Sequence, residues 1–160
     1  MADKFPVTKA IRVLREKKGL YQEHLYTYEE KGGTRASSKS LGVPENQVIK
    51  TIILEDEGGK GHVVLMHGNK EVSTKTLARI LGCKSLIPAA PERAQILSGY
   101  LVGGTSPFGL KNPLPLYLEK TILDLPLIYI NGGKRGFLIS MNPSEVLRIL
   151  NPIIVETAAE

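Results

Sequence analysis

The sequence contains one cysteine, Cys83, in 160 residues, and no apolar run approaches the roughly 20 residues needed to cross a bilayer as a helix. A lone thiol cannot close a disulfide within the chain, and no neighbouring cysteine completes a CxxC half-site for zinc. The segment Met1–Pro6 starts with charge and lacks the apolar core of an export signal. These absences lead to the expectation of a cytoplasmic protein in a reducing compartment, away from membranes. Familiar catalytic signatures are missing too. The three histidines, His24, His62 and His67, form no HExxH or HxH ligand pattern, and there is no GxSxG elbow. Neither a metal nor any other cofactor is therefore expected. His62 and His67 bracket one expected strand and read as its exposed ends. Cys83 follows a helix-stopping Gly82, where a small, partly buried residue is ordinary.

What is present is enough apolar material, 42% of residues, to bury one substantial core, so a single domain over 1–160 is expected. Lys and Arg number 21 against 16 Asp and Glu, a formal net charge of +5. The first fifty residues hold ten basic and six acidic side chains, the next fifty six and five, and the remainder five of each. Such a bias suits a phosphate-rich partner, and it also suits an ordinary solvated surface.

Thr8 can cap a helix with Ala10, Ile11 and Leu14 on one face and Gly19 as its left-handed stop. Leu20–Tyr28, rich in Tyr and Leu, reads as a strand, and Arg35–Leu41 as a short helix ended by Gly42. Val48–Leu54, VIKTIIL, is a β-branched run typical of a central strand, joined through Glu55–Gly61 to His62–Met66 as an antiparallel hairpin. Ser73 or Thr74 caps another helix, with Leu77, Ile80 and Leu81 inward and Gly82 at its end. Leu127–Ile130 and Phe137–Met141 flank NGGKRG, Asn131–Gly136, as a second hairpin. Asn142 and Pro143 open a last helix ending near Leu150. The pattern predicts an α+β, or mixed α/β, domain with a largely antiparallel or mixed sheet.

Two features invite chemistry. The loop Gly99–Gly109, GYLVGGTSPFG, matches neither GxxxxGK[ST] nor GxGxxG, yet its glycines would let backbone N–H groups approach a ligand. An oxyanion or ribose site and a tight surface turn both fit it. Lys50 interrupts an apolar run, and strand alternation favours its solvent side.

Taken together, VIKTIIL, GYLVGGTSPFG and NGGKRGFLI resemble the YbaK-like aminoacyl-tRNA deacylases, free-standing relatives of the editing domain inserted in bacterial prolyl-tRNA synthetases. The similarity runs from about Thr8 to Leu150. It implies a mixed, partly barrel-like sheet surrounded by helices, and hydrolysis of the ester that joins a wrong amino acid to the 3′ end of tRNA. The implied partners are tRNA and prolyl-tRNA synthetase, and the implied substrates are Cys-tRNA(Pro) or another small residue such as alanine. By the same resemblance Lys50 faces the substrate pocket, against the alternation argument. Gly103, Gly104, Thr105, Ser106 and Pro107 match the family's GxxxP loop, with backbone and hydroxyl groups of Gly104, Thr105 and Ser106 turned to the pocket. Tyr28, Gly133 and Arg135 stand beside it. Phe108 and the loop His67–Val72 depart from the family pattern, which leaves the amino acid open. A binding module of the same fold, recognising tRNA or a synthetase without turnover, is the rival reading, and an enzyme acting on another small nucleotide ester is a third.

Overall fold

Three helix starts follow directly from local chemistry in the computed structural model, which describes residues 4–159. Met1, Ala2, Asp3 and Glu160, inside the expected 1–160 domain, lie outside the described residues. Thr8 accepts from the Ile11 N–H at 3.1 Å to open α1 (Lys9–Glu16). Ser73 accepts from Thr76 at 3.2 Å to open α3 (Thr74–Leu81), and Asn142 from Ser144 at 2.9 Å to open α5 (Pro143–Leu150). Each hydroxyl or amide oxygen takes a backbone donor that the first turn cannot satisfy. Helix α2 (Gly33–Leu41) starts two residues before the expected Arg35, and α4 (Pro91–Ser98) begins on proline. Gly42 and Gly82 end α2 and α3 in the left-handed region, as glycines without a Cβ can. At α1 that conformation falls on Lys18 (φ 53), not on Gly19.

The strands are β1 (Gln22–Leu25), β2 (Val48–Asp56), β3 (Gly61–His67), β4 (Leu86–Pro88), β5 (Leu116–Glu119), β6 (Ile128–Lys134), β7 (Phe137–Met141) and β8 (Ile153–Val155). They form one mixed sheet in the order β1-β7-β6-β2-β3-β5-β8, with β4 on the far part of β2. β2 is indeed central: it pairs antiparallel with β3 and β4 and parallel with β6. The first strand is shorter than Leu20–Tyr28, because only Gln22–Leu25 pairs with β7. The NGGKRG segment is mostly strand, with a bulge between Asn131 and Lys134 and the turn confined to Arg135 and Gly136. A bulge re-aims side chains at the end of a ladder, here next to the expected site.

Alternation gives the sheet two faces. On one, Ile49, Leu65, Leu118, Ile130 and Ile139 pack with α1, α5, Tyr100 and Phe108. On the other, Leu54, Val64 and Tyr117 pack under Leu77 and Ala78 of α3. Ile80 is 51% exposed, so Ala78 takes the inward place expected of it. His62 and His67 are likewise buried rather than exposed. His67 donates from Nδ1 to the Asn46 carbonyl (2.8 Å) and accepts at Nε2 from Thr121 Oγ1 (2.7 Å), while His62 meets Asp56 at 3.0 Å. No helix among the described residues is long and apolar enough to cross a membrane.

Candidate functional site

The parallel pairing of β2 with β6 runs through Val48/Tyr129 and Ile49/Ile130 and then stops. The next positions, Lys50 and Asn131, stand at the fork where the strands part. Because Ile49 and Ile130 point into the large core, both neighbours point to the opposite face. There Lys50 keeps 21% of its side chain exposed and its Nζ lies 3.2 Å from Glu71 Oε1, on the segment after β3. The Asn131 amide donates to the Gly103 carbonyl at 3.0 Å, and its oxygen accepts from Gly133 N (2.7 Å) and Lys134 N (3.1 Å). One side chain thus ties the fork to the glycine-rich loop and shapes the bulge.

That loop carries no helix or strand, and it is held from several sides. Tyr100, 6% exposed, donates to the Phe108 carbonyl, and burial pushes its phenol up to about 12. The Gly104 N–H donates to Leu101 O at 2.8 Å, and the Ser106 hydroxyl accepts from Phe108 N at 3.2 Å. Arg135 donates from Nε to Val102 O at 2.9 Å while its guanidinium carbon stands 5.1 Å from the Tyr28 ring centroid, within cation–π range. Gly103, with φ +91, lies against Tyr28: a Cβ there would fall 2.9 Å from the tyrosine oxygen.

Tyr28, Gly103, Gly104 and Arg135 therefore converge, and Asn131 ties Gly103 to the end of the β2–β6 ladder, where Lys50 follows Ile49. Ser106, Pro107 and Gly104 are buried, and Ser106 points its hydroxyl into the loop instead of outward. Within Gly103–Ser106 the Gly104 N–H is spent on Leu101, while those of Gly103, Thr105 and Ser106 find no acceptor among the described residues. The Thr105 hydroxyl is 3.4 Å from Leu101 O. Gly133, φ +100, backs onto Tyr100 and Thr8 on the α1 side of the bulge. Phe108 is fully buried in the core, so its size bears on packing before it bears on a ligand.

Sequence reasoning assigned nothing to Asn131, although asparagine before GG is a signal for local backbone bonding. It also gave no role to Thr51, whose hydroxyl is buried beside the fork without a partner among the described residues. Two residues after Ile49, Thr51 points to the large-core face and away from Lys50. Behind the Tyr28 segment opens a cleft of about 550 Å³ lined by Thr27, Glu29, Arg35 and Lys39 among others, sharing no residue with the convergence. Among the described residues no three of His, Cys, Asp and Glu stand together as a metal-binding group. Burial pushes the Cys83 thiol up, and it donates weakly to Ala78 O at 3.8 Å.

The family described as "Aminoacyl-tRNA editing domain" matches residues 29–149. The "Putative Cys-tRNA(Pro)/Cys-tRNA(Cys) deacylase EbsC" of Enterococcus faecalis is 29% identical over 145 residues, covering 90% of this chain and 88% of that protein. The proline–tRNA ligase of Moorella thermoacetica is 33% identical over 120 residues, 72% of this chain but only 19% of the ligase. A solved "putative trans-editing enzyme for prolyl tRNA synthetase" superposes with a TM-score of 0.83 at 23% identity, over 98% of this chain and 100% of that one. That likeness speaks to the fold.

Proposed function

Because the chain belongs to the aminoacyl-tRNA editing domain family, we propose that it is a hydrolase that frees wrongly attached amino acids from tRNA, acting in trans. The observation that supports this reading is the hydrogen bond from Asn131 to the Gly103 carbonyl, which ties the glycine-rich loop to the end of the β2–β6 ladder, next to the position of Lys50. The substrate is a small amino acid on tRNA(Pro), cysteine first and alanine second, in line with the activity in the name of the E. faecalis relative. Prolyl-tRNA synthetase, which makes such errors, is the natural partner.

The chemistry needs no protein nucleophile. An aminoacyl ester is already activated, so water held against its carbonyl carbon suffices; when the amino acid is cysteine its own thiol is the alternative, the ribose hydroxyl then leaving with the thiol proton and the cyclic thioester so formed being opened by water to the amino acid. As the water oxygen bonds to carbon, the carbonyl oxygen becomes an oxyanion. The N–H groups of Gly103 and Thr105 are available to receive it, each good donor being worth roughly 3 kcal/mol. The ester C–O bond then breaks, the ribose hydroxyl takes the proton, and amino acid and tRNA leave. Lys50 contributes a positive charge to the oxyanion or the terminal phosphate, and Tyr28 and Arg135 form the wall behind the sugar.

Incubation with a panel of labelled mischarged tRNAs tests the proposal, with Cys-tRNA(Pro) and Ala-tRNA(Pro) expected to be cleared. Lys50→Ala should slow single-turnover deacylation at least about tenfold, roughly 1.4 kcal/mol of transition-state stabilisation. Its melt should be unchanged, since the Glu71 carboxylate it pairs with is 82% exposed and such pairs contribute about 0–1 kcal/mol. Tight tRNA binding with no turnover of any panel member would overturn the proposal in favour of a binding module.

A further inference from the structure

The net charge of the chain resides in one short stretch. Residues 4–18 hold six basic side chains, Lys4, Lys9, Arg12, Arg15, Lys17 and Lys18, against the single acid Glu16. The rest of the sequence holds fifteen of each sign, so this stretch accounts for the whole formal charge of +5. It is also the stretch that forms α1. Ala10, Ile11 and Leu14 are fully buried on the sheet, which obliges Lys9, Arg12 and Arg15 to face solvent, and all three are exposed. None of them is in an ion pair among the described residues. A helix surface with unneutralised charge of one sign is costly to leave alone and suits a polyanion.

The placement of α1 adds a second, independent argument. Its N-cap Thr8 donates to the Gly132 carbonyl in the bulge, and Gly133 packs on the same threonine. Gly109, at the end of the glycine-rich loop, packs on the backbone of Lys9. The helix therefore starts in contact with both glycine segments of the candidate site and carries its cations away from it for about 9 Å between Lys9 and Arg15. Its far end is fixed as well, since Arg148 of α5 donates to the carbonyls of Lys17 (3.1 Å) and Lys18 (3.4 Å). The row of charge is thus rigidly aimed.

We propose that the exposed face of α1 is the docking surface for the phosphate backbone of the tRNA acceptor stem, with Lys9, Arg12 and Arg15 contacting successive phosphates while the 3′ end lies at the fork. This rests on the deacylase reading for the identity of the polyanion. Arg35 and Lys39 on α2 are also in no ion pair among the described residues, but Glu29 and Glu30 stand before them in sequence and offset their charge.

The test is the salt dependence of tRNA binding by the full chain, measured for wild type, for Lys9→Gln/Arg12→Gln/Arg15→Gln, and for the control Arg35→Gln/Lys39→Gln. Each phosphate contact contributes about 0.7–0.9 to the slope of log K against log salt. The triple variant should bind at least tenfold more weakly at low salt, lose about two to three from the slope, and raise KM for misacylated tRNA far more than it lowers kcat. Arg12→Gln alone, the mildest change, should lose about one from the slope and keeps the test alive should the triple variant melt early. Binding within twofold of wild type, or an equal loss in the α2 control, would overturn the proposal. A wild type that needs α1 to bind tRNA but clears no aminoacyl ester would sink the deacylase reading alone, whereas active enzyme with a flat salt dependence would sink the docking surface alone.

Discussion

Gly104 shows why this loop cannot be built from larger residues. A Cβ there would sit 2.9 Å from Arg135 N and 3.0 Å from the Lys134 carbonyl carbon, backbone against backbone, where neither side can yield cheaply. At Gly103 the obstacle is different, a positive φ together with the movable Tyr28 ring. Gly104→Ala should therefore push the two glycine segments apart, at about 2 kcal/mol by analogy with overpacking elsewhere, which for a chain of this size is a fall of roughly 4–8 °C in Tm. Single-turnover deacylation should fall with it even well below the melt. A variant melting and reacting like wild type would mean that the contact is not needed. The glycines were visible in the sequence as a permissive loop, but the partner each one touches is some thirty or more residues away and was not. Lys50 illustrates the same limit. Alternation favoured its solvent side, and the structure leaves 21% of the side chain exposed on the face opposite Ile49; what else that face meets depends on the ending of the β2–β6 ladder.

Elements were legible where their signals are local. The caps at Thr8, Ser73 and Asn142, the left-handed stops at Gly42 and Gly82 and the β2–β3 hairpin all depend on residues a few positions apart. β5 and β8 were not anticipated, since each is at most four residues long and is defined by parallel partners far along the chain. The burial of His67 was hidden for the same reason, its partners being Asn46 and Thr121. The join between α1 and α5 is equally non-local. Glu145 receives Arg148 at 3.0 and 2.8 Å and the Leu20 N–H at 2.8 Å, so it fixes the chain leaving α1. The Arg148 hydrogen bond, helped by Leu20 N–H, holds the Glu145 carboxyl at about 2, below its ordinary 4.5. A depressed acid stabilises the fold at pH values above its unfolded pKa and loses that contribution as pH falls through the folded one. Thermal melts of wild type should decline on this account between about pH 5 and 2. Glu145→Gln should melt lower than wild type at pH 7 and converge with it near pH 2; a constant difference across that range would show that the ion pair does not govern the slope.

For the molecule as a whole, the end of the described chain reaches back to the site. Glu119, 3% exposed at the end of β5, accepts from Thr157 N (2.6 Å) and Ala158 N (3.0 Å). The same tail then braces the segment after β3. Ser73 N donates to Thr157 O at 2.6 Å, Val72 bridges Ala158, and Ala159 N donates to Glu71 O at 2.8 Å. Glu71 in turn holds Lys50. Removing residues 157–160 should cost about 3 kcal/mol, because it strips a buried carboxylate of both its donors while releasing the Glu71 segment. Glu119→Gln should cost less, since the amide oxygen can still accept from the tail. At temperatures where the truncated chain remains folded, deacylation should drop by less than it does in Lys50→Ala, because Glu71 orients the lysine without touching the ester. Melts and single-turnover rates of the two variants, run side by side, decide the matter: a truncated chain with the wild-type melt would show that the tail is not a brace, and one as inactive as Lys50→Ala would show that the lysine has no useful position without it.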